Sequence, residues 1–163
     1  MSKYIDTHMH LYDEAFNEDR DAVVAKMKDA GVVHCIMPAI DISTSAAQLQ
    51  CCGLYGDYTS LAFGLHPTSI NASWRDELDF VIDQMKTEDM SRVCAVGEIG
   101  LDEYWSKEFS AQQKKVLMEQ IKLAEELDLP MIIHLRDATE SLFEVFENMK
   151  GVRMRGVFHA FSG

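Results

Sequence analysis

Six short apolar runs follow one another along this sequence at a spacing of about 30 residues, and a stretch of helical periodicity separates each from the next. The runs are Tyr4–Thr7, His34–Ala39, Ser60–Leu65, Arg92–Gly97, Met131–His134 and Val157–Phe161. Val93-Cys94-Ala95-Val96 and Met131-Ile132-Ile133 are apolar without alternation, the pattern of strands covered on both faces in a parallel sheet. Between the runs, Val23, Val24, Met27 and Ala30 form an apolar stripe that Gly31 stops. Thr44–Cys52, with Gly53 as its stop, and Trp74–Met85 are two further helices. Ser110 and Gln113 have the spacing of a capping box ahead of the stripe Leu117, Ile121, Ala124 and Leu127, and Pro130 ends that helix. Asp137 with Glu140 caps a last helix carrying Leu142, Phe146 and Met149, terminated at Gly151. The order βαβαβαβαβαβ admits an open doubly wound sheet or a barrel. An eight-unit barrel needs roughly 250 residues. The 163 residues here supply six strands, read as a single domain over 1–163.

The chain is 47% hydrophobic and 26% charged, as expected of a globular domain with a real core. No apolar run reaches the roughly 18 residues of a membrane span, and Met1–Asp6 contains no apolar stretch of the signal-peptide kind. The expected location is cytoplasmic. The net charge of −12 argues against broad capture of duplex nucleic acid, which depends on Lys and Arg neutralising phosphates. It leaves room for a site in which divalent cations locally reverse the field and hold one phosphate. Cys35, Cys51, Cys52 and Cys94 form no C-x-x-C pair and read as free thiols.

The chemistry lies at the ends of the apolar runs. In a sheet of parallel strands those ends share one face, so His8, His10, Glu98, His134 and His159 converge although they are scattered along the chain. In Asp6-Thr7-His8-Met9-His10 the two imidazoles lie two apart on an extended segment and point to the same side, as a metal grip requires. In Val96-Gly97-Glu98-Ile99-Gly100-Leu101-Asp102 a carboxylate emerges from an apolar strand between glycines. Buried without a partner it would be costly, and its two oxygens suit it to bridge two metals. Asp102 either caps the following turn or takes part in catalysis. His134 ends the fifth run, and Arg136 shares its side of the strand; Arg136 faces an anionic substrate or pairs with a carboxylate such as Asp137 or Glu140. His66, in Gly64-Leu65-His66-Pro67, either contacts substrate or is a loop histidine ahead of a proline. His159 ends the sixth run, in Val157-Phe158-His159-Ala160-Phe161-Ser162-Gly163. His34 opens the second run and belongs to the opposite end of the sheet.

Taken in order, these motifs resemble the TatD family of metal-dependent deoxyribonucleases over the whole chain. The resemblance implies a (β/α)8 TIM-barrel fold of the amidohydrolase type, here as an incomplete barrel of about six βα units. It implies that His8 and His10 hold one divalent metal, that His134 and His159 hold a second, and that Glu98, the catalytic carboxylate, bridges them. His66 and Arg136 then bind substrate. The resemblance further implies two divalent ions as cofactors, Mg2+, Mn2+ or Zn2+, and single-stranded DNA as the substrate, hydrolysed from its 3′ end. Four imidazoles and a carboxylate suit zinc or manganese, while the family is usually described with magnesium.

The family continues through a seventh and an eighth strand, with a Glu-Thr-Asp motif that supplies an aspartate to the first metal, and no counterpart occurs in this sequence. The sequence therefore reads as a truncated chain or one completed by a second polypeptide, with exposed strand edges open to self-association. The alternatives are another metal-dependent hydrolase on the same scaffold (phosphatase, lactonase or amidohydrolase) and an inactive fragment or non-catalytic subunit.

Overall fold

The structure, a computed structural model, describes residues 2–161. Six strands, β1 (Tyr4–Asp6), β2 (Val32–Pro38), β3 (Thr59–Phe63), β4 (Val93–Asp102), β5 (Met131–Arg136) and β6 (Gly156–His159), form one sheet. Every neighbouring pair is parallel, and spatial order equals chain order. That order separates the two architectures the sequence admits. A doubly wound sheet reverses direction at a switch point. A sheet wound continuously one way, with right-handed crossovers, places all its helices on one face and curls into a barrel arc.

The packing follows. Helices α1 (Arg20–Asp29), α2 (Ile42–Leu54), α3 (Trp74–Thr87), α4 (Ser110–Glu126) and α5 (Thr139–Asn148) all contribute to one large apolar cluster outside the sheet, built around Leu61, Phe63, Ile99, Leu117 and Ile121. Burying each such side chain contributes about 1.5–3 kcal/mol. The inner face holds a second, small cluster made by strand residues alone: Ala62, Ala95 and Ile132, with Ile36 and Cys94 against them.

Three buried glutamines on the helices bond backbone groups in the carboxyl-terminal halves of the strands or just beyond them. Gln48 of α2 donates to the carbonyls of Met37 and Ala62. Gln113 and Gln120 of α4 each pair with both backbone groups of one residue, Asp102 and Leu65 respectively. A buried peptide group left unpaired would cost about 1–3 kcal/mol.

Several local expectations change. Gly53 lies inside α2 instead of ending it; a Cβ there would meet nothing, so no turn needs the glycine. The start of α2 is a capping box of Asp41 and Thr44 that was not singled out from the sequence. The box expected at Ser110 is absent: the cap is Phe109, without a side-chain bond, because the amide of Gln113 is engaged with Asp102. Asp137 does not cap α5 either. It sits at φ 52°, and Ala138 holds the cap position. Strand β4 runs on to Asp102, five residues past its expected end, through a register shift between Gly97 and Ile99 that leaves Glu98 in a bulge. The four cysteines are free thiols. No helix among the described residues is long and apolar enough to cross a membrane.

Candidate metal centre

Glu98 sits at the centre of the strand-end face with 2% of its surface exposed. A bulge re-aims a side chain relative to its strand, and glycine on one side makes room for this one. A Cβ at Gly97 would stand 2.7 Å from the Cβ of Ile132 on the neighbouring strand.

The two carboxylate oxygens face different histidines. Oε2 lies 3.0 Å from His8 Nε2 and 3.7 Å from His10 Nε2. Oε1 lies 3.2 Å from His134 Nδ1 and 3.6 Å from His66 Nε2. Burial pushes the Glu98 carboxyl up, but hydrogen bonds from His134, His66 and His8 outweigh it and hold the group below the usual carboxylate range. It is therefore an anion in a buried place, surrounded by imidazole nitrogens.

The rings around it are oriented from behind. Tyr12 donates its O–H to the carbonyl of Pro38 at 2.6 Å, so its oxygen is left to accept from His10 Nδ1–H at 2.8 Å. That tautomer turns the lone pair of His10 Nε2 toward Glu98 and His8. Burial and the neighbouring His8 lower the His10 pKa, which favours the neutral ring. Asp102, equally buried, lies 2.8 Å from His134 Nε2 and leaves Nδ1 of that ring for the centre. Second partners of this kind are the usual companions of metal-binding imidazoles.

These observations test whether the residues fit a cation. His8 Nε2 and His10 Nε2 face each other at 3.1 Å beside a carboxylate oxygen. At most one of the two nitrogens can donate to the other, so at least one lone pair points into the gap between them. His8, His10 and Glu98 have ligand atoms within 4.8 Å of one another, as do His66, Glu98 and His134. Imidazole and carboxylate donors in these numbers suit a divalent ion such as zinc or manganese.

His66 and His159 have other surroundings. The backbone N–H of Thr68 donates to His66 Nδ1 at 3.2 Å, and the Thr68 hydroxyl lies 2.7 Å from the same nitrogen. An accepting Nδ1 puts the proton of the neutral ring on Nε2, which makes that nitrogen a donor and not a ligand. Distance alone groups His66 with Glu98 and His134, but the bond that its Nδ1 accepts sets it apart. His159 belongs to neither of those groups. It is the register partner of His134 on the adjacent strand, and its ring stacks on His8 with centroids 3.4 Å apart.

Arg136 makes no ion pair among the described residues. Its guanidinium lies over the ring of Tyr104 at 3.7 Å and near Trp105 at 5.2 Å, so the carboxylate pairing that the sequence allowed does not form. Asp102 caps the following turn: its second oxygen accepts from the N–H groups of Tyr104 and Trp105, at 3.1 and 3.2 Å. His34 bonds Ser60 at 2.8 Å, away from the centre. Tyr12 was not found from the sequence, although its place two residues beyond His10 carries the same spacing signal as His8 and His10. Ser162 and Gly163 of the last motif lie outside the described residues.

A sequence profile of the family described as TatD related DNase matches residues 5–163. The uncharacterized metal-dependent hydrolase YjjV of Escherichia coli is 34% identical over 163 residues, covering 99% of this chain and 61% of that protein. The 3'-5' ssDNA/RNA exonuclease TatD of Yersinia pseudotuberculosis is 31% identical over 160 residues, covering 97% and 60%. The crystal structure of the YjjV protein superposes with a TM-score of 0.79 at 31% identity, over 98% of this chain and 61% of that one. A TatD family hydrolase from Entamoeba histolytica, at 22% identity, shares the fold with a TM-score of 0.84, over 99% and 59%. The chain spans about three-fifths of the length of the curated relatives it matches.

Proposed function

Because this chain belongs to the TatD-related DNase family, we propose that it acts as a divalent-metal-dependent hydrolase on phosphodiester bonds, removing nucleotides from the 3′ end of single-stranded DNA. The observation that carries the reading is the division of Glu98 between two sets of imidazoles, one at each oxygen. On this reading His8 and His10 would hold one cation and His134 and His159 the other, with Glu98 available to both. Bound there, two divalent ions supply Lewis-acid activation of water and neutralise charge on the phosphate. The protein's own work is orientation: Tyr12 and Asp102 fix two of the rings, and His66 presents an N–H to a substrate oxygen. Arg136, without an ion pair among the described residues, meets the phosphate.

The strand edges enter the same reading. Tyr4 and Ile5 on β1, and Val157 and Phe158 on β6, are exposed at the two borders of the sheet. We infer that these borders associate with a further strand or a second copy; a monomeric mass in solution across the micromolar range would contradict self-association.

A second reading, hydrolysis of a phosphomonoester, lactone or amide, is favoured by the relatives named only as metal-dependent hydrolases. One experiment separates the two. A 5′-labelled single-stranded oligonucleotide is incubated with protein and Mn2+ or Mg2+, beside a phosphomonoester and a lactone. We expect a ladder that shortens from the 3′ end, is abolished by chelator, and is absent from Glu98→Ala. Turnover of the small esters with an intact oligonucleotide would replace the nuclease reading by the second.

A further inference from the structure

Beyond the metal centre, the turn after β4 sets two aromatic rings in solvent. Trp105 is 70% exposed and Tyr104 is 52% exposed, and their rings meet edge to face at 4.9 Å. The position is built: Asp102 accepts from both of their backbone N–H groups. The same carboxylate touches His134 through its other oxygen, so the turn and the metal centre share one buried anchor.

Arg136 completes the arrangement. It lies two residues beyond His134 on the same side of β5, about 6.6 Å along the strand. Its guanidinium lies over the Tyr104 ring and close to that of Trp105, in a chain with 27 acidic and 15 basic residues, yet it pairs with no carboxylate among the described residues. Asp137 lines the same cleft without pairing with it. Tyr104, Arg136, His134 and His159 line one cleft of about 550 Å³, and Trp105 adjoins it through its contact with Tyr104.

We propose that Trp105, Tyr104 and Arg136 form a stacking subsite for an unpaired nucleobase next to the phosphate held at the metal centre. This rests on the phosphodiesterase reading and names what binds beside the reacting bond. Two properties of the cluster select the ligand. Aromatic and guanidinium planes stack on the face of any base, with little preference for sequence. A base inside a duplex has both faces covered by its neighbours, so an open platform of this kind takes frayed or single-stranded ends. The free positive charge meets the phosphate that travels with the base, which an apolar peptide or lipid chain would leave unpaired.

The test uses the chain's two tryptophans. In a Trp74→Phe background Trp105 is the sole tryptophan reporter. Titration with oligothymidylate in the presence of chelator should quench its fluorescence saturably, and an abasic oligonucleotide of equal length should not. In the metal-loaded protein, Trp105→Ala should lower kcat/KM on the intact strand roughly tenfold, the scale of one lost base stack. The wild-type preference for intact over abasic strand should collapse, and Trp105→Phe should restore much of it. Equal quenching by both oligonucleotides, or a preference unchanged by Trp105→Ala, overturns the subsite while leaving the nuclease reading intact. Wild-type protein that hydrolyses neither strand overturns the nuclease reading, and the quenching experiment still decides whether bases stack on Trp105.

Discussion

The imidazole of His159 stacks on that of His8, with centroids 3.4 Å apart and planes 11° from parallel. One ring ends the last strand and the other follows the first, so side chains from the two borders of the sheet meet at its mouth while the border strands stay unpaired with each other. A flat six-stranded sheet would hold these borders about 24 Å apart, at 4.7–4.9 Å per strand. The contact is a consequence of curl, and it completes a ring of ligand-type side chains around Glu98.

His66 and His159 should separate in their effects. His159→Ala should remove about one of two bound Mn2+ or Zn2+ equivalents, measured by isothermal titration or elemental analysis. His66→Ala should retain metal and raise KM for the oligonucleotide, because its Nε2 is a donor. The reverse pattern would move His66 into the ligand set.

Tyr12→Phe removes one oxygen from a buried place and leaves Pro38 O and His10 Nδ1 without their partner. The loss of stability should be about 1–3 kcal/mol in urea denaturation. Metal affinity should fall by about 10–100-fold, as when other groups behind ligating histidines are removed. Unchanged affinity would show that His10 does not depend on Tyr12 for its orientation.

Asp102→Ala frees the His134 ring and uncaps the Tyr104–Trp105 turn together. Metal affinity should again drop by about 10–100-fold. Asp102→Asn keeps an oxygen for one of those contacts and should recover most of the stability but less of the affinity. Equal metal affinity in the wild type and both variants would reduce Asp102 to a turn cap.

Acid and base should destabilise the metal-free protein from opposite directions. The folded-state pKa of Glu98 lies below its ordinary 4.5, so its contribution is present above that pH and lost as pH falls. That of His134 lies above its ordinary 6.5: burial lowers it, but hydrogen bonding to Glu98 and Asp102 outweighs the burial. Its contribution is present below pH 6.5 and lost as pH rises through the folded value. With chelator present, stability from this pair should peak between those limits. Glu98→Gln should flatten both arms, and an unchanged profile would contradict the pairing.

Gly100 lies at φ +148°, and a Cβ there would fall 1.9 Å from the carbonyl oxygen of His134. Gly100→Ala should cost more than about 3 kcal/mol, since the β4–β5 ladder must part to admit it. A soluble variant with unchanged denaturation midpoint would show that the strands can separate cheaply at this point.

The alternation of apolar runs and amphipathic stretches determined the number of strands and their succession along the chain, because period and length are local properties, while their order in space was left open. Histidines and a glutamate at the ends of those runs marked the face where these side chains gather, since parallel strands carry their ends to the same side. Tertiary structure decided what depended on neighbours distant in sequence. Strand order excluded the doubly wound sheet, and the bulge at Glu98 split one carboxylate between two sets of rings. Gln113 left its local cap to satisfy Asp102, and Arg136 settled on Tyr104 when an acidic residue stood beside it in the chain. Each of these is a competition between a nearby partner and one brought close by folding. Periodicity says which partners are near, while only packing sets the distances and desolvation that choose between them.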